Sequence, residues 1–229
     1  MSFESLGLSA ELLRAVHDQG YTEPTPVQAR CIPAVLAGRD LLAAAQTGTG
    51  KTAGFAMPML QRLSEGARAP STSTRRPVRA LILTPTRELA AQVEQSVRTY
   101  GRHLSLRSTM VCGGASMNLQ VRALRDGVDI LVATPGRLLD HLRSRTVDLG
   151  RVEVFVLDEA DRMLDMGFIR DVRKIIDALP KDRQSLLFSA TMPAEVVQLT
   201  KAILIDQVRV EVAPQTKTAD KVEQSIYFV

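Results

Sequence analysis

Tryptophan is absent from the 229-residue sequence, and only three tyrosines and six phenylalanines occur. A surface that binds nucleic acid by stacking successive bases on aromatic rings is therefore not indicated. The two cysteines, Cys31 and Cys112, lie far apart without Cys-x-x-Cys spacing, so neither a disulfide framework nor a zinc site is indicated. His17, His103 and His141 show no metal spacing and read as surface or packing residues. No apolar run approaches the roughly 20 residues needed to cross a bilayer, and the first residues, with acidic Glu4, lack a basic-then-apolar leader pattern. A cytoplasmic location is the expectation. Charge is nearly balanced, 29 Lys and Arg against 25 Asp and Glu for a net +4; this favours a polyanionic partner only weakly.

What is present is enough apolar material, 45% of the residues, for one substantial core. Short apolar, β-branched runs recur at Leu41 to Ala45, Ala80 to Leu83, Ser108 to Cys112, Ile130 to Ala133, Val154 to Leu157, Leu186 to Phe188 and Val208 to Val212. Most show little polar alternation, as expected of strands covered on both faces. Between them, Glu88 to Tyr100, Arg137 to Arg143 and Ile169 to Leu179 carry apolar residues at spacings of three and four. Strand and helix alternating in this way predict crossover units and a mostly parallel sheet, an α/β fold. Gly66 to Pro77 has no periodicity and predicts a surface loop. After Val212 the chain turns polar from Ala213 to Glu223, and Ser225 to Val229 resembles the start of another strand. The expected organisation is one domain over 1–212 and a linker over 213–229, with a C-terminal edge strand as the alternative.

The strand ending near Ala45 runs into Gln46-Thr47-Gly48-Thr49-Gly50-Lys51-Thr52 and then into an apolar helix with Phe55 and Met59. Gly48 and Gly50 let the backbone curl so that its N–H groups face phosphate oxygens, and the helix N-terminus adds its positive dipole end. Lys51 is placed to reach the β- and γ-phosphates, and the Thr52 hydroxyl to reach Mg²⁺. Ala45 stands where the common pattern has glycine. A phosphate loop needs an acidic residue at a neighbouring strand tip to hold the metal, and Val154 to Leu157 followed by Asp158-Glu159-Ala160-Asp161 supplies one. Asp158 is the candidate for Mg²⁺ and Glu159 for orienting or deprotonating the attacking water. Two acids after a buried strand can also serve as a helix cap and dipole partner.

Asp-Glu-Ala-Asp at this place resembles the motif that names the DEAD-box RNA helicases, and further signatures follow in that family's order. Gly20 to Gln28, with Phe3 upstream, is similar to the Q motif. Pro85-Thr86-Arg87-Glu88-Leu89-Ala90 matches motif Ia, Gly113-Gly114 the glycine doublet, Thr134-Pro135-Gly136-Arg137 motif Ib and Ser189-Ala190-Thr191 motif III. The wording around the motifs is most similar to the bacterial RhlE subgroup. The resemblance implies a RecA-like domain with a P-loop that binds ATP and Mg²⁺. It implies that Gln28 pairs with the adenine edge while Tyr21 or Phe3 stacks on the base. Thr86, Arg87, Thr134 and Arg137, with backbone N–H groups at Gly114, are implied to bind an RNA backbone without reading sequence. From the residues alone, Arg87 and Arg137 could instead pair with acidic neighbours such as Glu88 or Asp140. Ser189 and Thr191 are implied to couple the catalytic acids to RNA through Asp161, and the helix at 136–142 is implied to wedge an RNA strand. The family's arginine fingers belong to a second RecA-like domain, so the implied partners are RNA and that domain. A DNA-translocating motor and a non-catalytic RNA-binding module share the fold and remain the alternatives.

Overall fold

A computed structural model describes residues 1–46, 48–66 and 76–211. Thr47, most of the expected loop over 66–77 and the expected linker over 213–229 lie outside the described residues. The seven apolar runs each form a strand: β1 Leu41–Ala44, β2 Ala80–Leu83, β3 Ser108–Val111, β4 Ile130–Ala133, β5 Val154–Leu157, β6 Gln184–Ser189 and β7 Val208–Glu211. They make one sheet in the order β3-β4-β2-β5-β6-β1-β7, with parallel pairing throughout. The register pairs Leu41 with Leu186 and with Val208, and Leu83 with Ala133 and with Leu157.

Side chains alternate between two cores because strand geometry sends neighbours to opposite faces. Ala80, Ile82, Val154 and Val156 face one core. It is closed by α1 Ala10–Asp18, α2 Pro26–Leu36, α3 Lys51–Glu65 and α4 Arg87–Tyr100. Leu81, Leu83, Phe155 and Leu157 face the other. There α5 Met117–Arg125, α6 Pro135–Arg143, α7 Ala160–Asp165, α8 Ile169–Asp177 and α9 Ala194–Ile203 pack. Each such Leu, Ile, Val or Phe side chain, fully buried, contributes about 1.5–3 kcal/mol. This double cover explains why the central strands read as unbroken apolar runs.

β6 begins earlier than the apolar run at Leu186 suggests. Gln184 and Ser185 are buried strand residues that neighbouring groups hold: Gln184 Nε2 donates to Val35 O and Arg39 O, and Ser185 N–H donates to Asp40 Oδ1 at 2.7 Å. Among the described residues, no helix is long and apolar enough to cross a membrane.

Candidate functional site

In a parallel sheet every strand ends at the same edge, and ligands of open α/β sheets bind outside that carboxyl edge. Here the edge divides. The tips of β5, β6 and β1 carry the phosphate loop and the acidic cluster, while those of β2, β4 and β3 carry motifs Ia and Ib and the glycine doublet.

The phosphate loop enters α3 at Gly50, whose φ of 88° is left-handed. Glycine adopts this conformation without strain, and a Cβ there would also sit 2.5 Å from Gln28 Nε2 and displace that amide. That contact shows where Gln28 lies. Its amide donates to Gly50 O at 3.2 Å, and its Oε1 accepts from Thr25 N–H at 3.0 Å. Thr25 and Gln28 form a capping box at the start of α2. Gln28 thus ties the Q motif to the phosphate loop, a role that base pairing alone did not suggest, and keeps one N–H and one lone pair uncommitted.

Lys51 and Asp158 converge beneath this loop. Both side chains are almost fully buried, with Nζ and Oδ1 separated by 3.9 Å, and neither atom has a hydrogen-bond partner. Two buried, opposite, unpartnered groups cost folding free energy unless a ligand completes them. Burial pushes the Asp158 carboxyl up to about 6; Lys51 acts against the shift, and Glu159 and Asp161 reinforce it.

The folded chain holds the Asp158 proton up to about pH 6 while the unfolded chain releases it near 3.8. On this account stability is greatest below about pH 4 and falls as pH rises to about 6. Asp158→Asn removes that dependence, whatever constant offset the lost Lys51 contact adds. The stability of the variant relative to the parent, followed by urea unfolding, should grow by up to about 3 kcal/mol from about pH 4 to about pH 7. A flat difference would mean that the carboxyl is not held in its protonated form.

Glu159 caps α7 in a left-handed conformation, φ 54° and ψ 55°, which costs a non-glycine residue of order 1–3 kcal/mol and is characteristic of functional sites. Its Oε2 lies 3.3 Å from Arg162 Nη1. Asp161 turns the other way, toward the tip of β6. Thr191 gives it two hydrogen bonds, from its N–H at 2.8 Å and its hydroxyl at 2.9 Å, while Ser189 Oγ accepts from Asp161 N–H and donates to Thr191 O. Burial opposes ionisation of Asp161, but these bonds outweigh it and hold the carboxyl below its usual range. Because β6 lies between β5 and β1, Ser189 stands between the acidic cluster and the phosphate loop.

On the other half of the edge, Thr86 caps α4 by accepting from Leu89 N–H, and Thr134 precedes α6. Arg87 Nη1 donates to Gly114 O at 3.3 Å, and Arg137 Nη1 donates to Ala115 O at 2.9 Å. Of the acidic partners considered, Asp140 lies 3.8 Å from Arg137 Nε; Arg87 turns to the glycine loop instead. Gly114 has φ 73°, and a Cβ there would meet Arg87 Nη1 at 3.1 Å. Thr86, Arg87, Gly114, Thr134 and Arg137 are thus brought to one surface.

One expectation needs correcting. Phe3, offered with Tyr21 as a platform for the base, is only 3% exposed and belongs to the core. It lies in the short 3-10 helix Phe3–Leu6, whose Phe3 and Leu6 both turn inward, so its ring has no face left for a ligand. Tyr21 is 46% exposed. His141, read as a surface or packing residue, is wholly buried with both ring nitrogens in hydrogen bonds.

The geometry agrees with comparison to known proteins. The profile of the DEAD/DEAH box helicase family matches residues 25–199. The DEAD-box ATP-dependent RNA helicase RhpA of Helicobacter pylori (strain B128) is 42% identical over 228 residues, 100% of this chain and 44% of that protein. The ATP-dependent RNA helicase DeaD of Escherichia coli (strain K12) is 44% identical over 229 residues, 100% of this chain and 35% of that protein. Among solved structures, the crystal structure of a DEAD box protein from the hyperthermophile Methanococcus jannaschii superposes with a TM-score of 0.84 at 41% identity. That match covers 92% of this chain and 56% of the other. The chain therefore spans less than half the length of these curated relatives. Since the family profile runs through most of the chain and the relatives align along all of it, the chain belongs to the DEAD/DEAH box helicase family.

Proposed function

We propose that this chain is the nucleotide-binding half of an ATP-dependent RNA helicase, with ATP and Mg²⁺ at the tips of β1 and β5 and an RNA backbone at those of β2, β3 and β4. The observation that carries the reading is the buried pair Lys51 and Asp158, each lacking a hydrogen-bond partner at the mouth of a phosphate loop. Phosphate oxygens and a hydrated cation are the chemistry that would complete them. Thr52 and Asp158 would hold Mg²⁺, which neutralises charge on the phosphates. Among the described residues there is no group of three or more His, Cys, Asp or Glu side chains able to hold a metal alone. A cation here must share its ligands with the nucleotide, as Mg²⁺ commonly does.

Gln46, Thr47, Gly48, Thr49 and Gly50 cradle the phosphates, and Lys51 neutralises them. Glu159 orients the attacking water and takes its proton. Tyr21, whose ring stays exposed, supports the base, and Gln28 reads its edge. Asp161, Ser189 and Thr191 link the acids to the RNA half. A second RecA-like domain, beyond a linker at 213–229, supplies the arginine fingers; without it turnover should be lower by roughly 10³ to 10⁵. Within the family we place the chain nearest the RhlE subgroup, on the wording of its motifs, and in the cytoplasm, where its two buried free cysteines would stay reduced.

Nucleotide titrations test the base reading. A two-point amide contact discriminates bases by about 1–3 kcal/mol, so ADP should bind roughly ten- to a hundredfold more tightly than GDP. Gln28→Ala should erase most of that preference and, by opening the capping box, cost about 1 kcal/mol of stability. Equal affinities for ADP and GDP in the parent chain would end the assignment.

RNA binding tests the other half. With backbone contacts only, affinity should fall linearly with log salt, with a slope matching a few phosphates, and should not depend on sequence at fixed length. A strong preference for one oligonucleotide would contradict backbone recognition.

A further inference from the structure

The loop after β3 is held in an unusual way. Three of its carbonyls are tied back by side chains from three helices: Gly114 O by Arg87 of α4, Ala115 O by Arg137 of α6, and Cys112 O by Gln120 of α5, whose Nε2 donates at 2.9 Å. The first two arginines are exposed or partly exposed and available to a ligand. Gln120 is not: it is 7% exposed, and its other end meets a second buried group, His141 of α6.

The direction of the bonds made by Gln120 is fixed. A carbonyl only accepts, so the Gln120 NH₂ must face Cys112 O and its Oε1 must face His141 Nε2, 3.0 Å away. His141 Nε2 therefore carries a proton. Nδ1 lies 2.8 Å from Thr146 Oγ1, and that hydroxyl is also 3.1 Å from His141 O. With a neutral ring, Nδ1 accepts from Thr146, whose single hydroxyl proton is then turned from His141 O. Burial disfavours the charged ring, and Arg137 one turn away adds to this against the weaker pull of Asp140, so the neutral Nε2–H form is the resting one. A fully satisfied buried network specifies one arrangement of the elements it joins. The elements joined here are the glycine loop and the helix that carries Arg137.

We infer that Gln120 and His141 are positioning residues for RNA: they fix the glycine loop against α6, so that the N–H groups after Cys112 and the guanidinium of Arg137 face one phosphate path. Neither touches the ligand. The inference rests on the proposal that this half of the edge binds an RNA backbone. It assigns a function to two residues that carry no charge toward the ligand and lie beneath its surface.

The test uses the full-length protein, a short fluorescein-labelled single-stranded RNA with a non-hydrolysable ATP analogue, and separate titrations with ADP. Gln120→Met and His141→Leu keep volume but break the relay. RNA affinity should fall roughly tenfold, the effect of one broken buried bond, while ADP affinity stays within about twofold, since the nucleotide lies across β5. His141→Gln, whose amide can still donate to Gln120 Oε1, should recover most of the loss. Ring-nitrogen spectra of His141 should show the Nε2–H tautomer, and Gln120→Met should abolish that fixed preference. Parent-like RNA binding by both disruptive variants would overturn the inference, as would equal losses for RNA and ADP or failure of His141→Gln to rescue. If the parent protein itself shows no salt-sensitive RNA binding, the backbone reading fails first and the inference falls with it.

Discussion

Replacing Glu159 by glutamine in the full-length protein should leave ATP bound and lower RNA-stimulated turnover by about 10² to 10⁴, the usual contribution of a positioned general base. The substitution suits the geometry. Glutamine keeps the size of the side chain, and its Oε1 can still accept from Arg162 Nη1, the contact that holds Glu159 now, so the left-handed cap of α7 need not move. Only the basic carboxylate is lost. Asp158→Asn should differ, weakening Mg²⁺-dependent ATP affinity as well as turnover, because a neutral amide holds a hydrated cation less firmly. Single-turnover hydrolysis and nucleotide titrations with and without Mg²⁺ separate the two. Near-normal turnover in Glu159→Gln would move the water-activating role to another residue and remove the centre of the mechanism.

Lys51→Ala should weaken every polyphosphate ligand alike, ATP, ADP and GDP, by roughly 10² or more. Truncating one member of a buried charge pair costs about 2–5 kcal/mol, much of it from stranding the other member. The stranded group here is Asp158, only 2% exposed and already resistant to ionisation because of burial. With Lys51 gone, that carboxyl loses the neighbour that most favours its charged form and becomes a poorer metal ligand too. The loss should therefore be indifferent to the base, in contrast to Gln28→Ala. Calorimetric titration of the three nucleotides against both variants gives the comparison. A Lys51→Ala chain that still bound ADP at parental affinity would show that the phosphates are held elsewhere.

Much of the fold could be read from the sequence because both faces of the sheet are covered. Runs such as Ala80 to Leu83 and Val154 to Leu157 carry no polar residue, and among the described residues three of the seven strands, β1, β3 and β6, differ from their apolar runs, all at a boundary. β6 shows why such boundaries escape: Gln184 and Ser185 look like loop residues until Asp40 and the carbonyls of Val35 and Arg39 are brought to them from over a hundred residues away. α5 lacked a clear signal because it buries little more than Gln120 and Leu124, and its Leu119 is 65% exposed.

The site was legible where chemistry requires a residue type at a fixed spacing, as in Gly-Lys-Thr followed later by Asp-Glu-Ala-Asp. It was not legible where a residue serves two masters. Gln28 reads as a base contact, yet its amide also closes a capping box and restrains Gly50. Phe3 reads as an exposed ring because it precedes a binding motif, yet the short helix that carries it turns it into the core. His141 offers no spacing signal at all, since Thr146 meets it only through the turn that ends α6 and Gln120 meets it only after α5 and α6 pack.

The order of strands also bears on how the chain reaches its native state. β1, from which the phosphate loop springs, pairs only with β6 and β7: Leu41 sits beside Leu186 and Val208. Such long loops are slow to close, and parallel pairings of this separation delay folding. During synthesis, residues 41–44 must wait for the ribosome to release 208–211 before both neighbours exist. A nascent chain stopped before Gln184 would have its phosphate loop written but unsupported on either side. Competence to bind nucleotide should thus arrive abruptly near the end of translation of this segment, making ATP a reporter of completed folding.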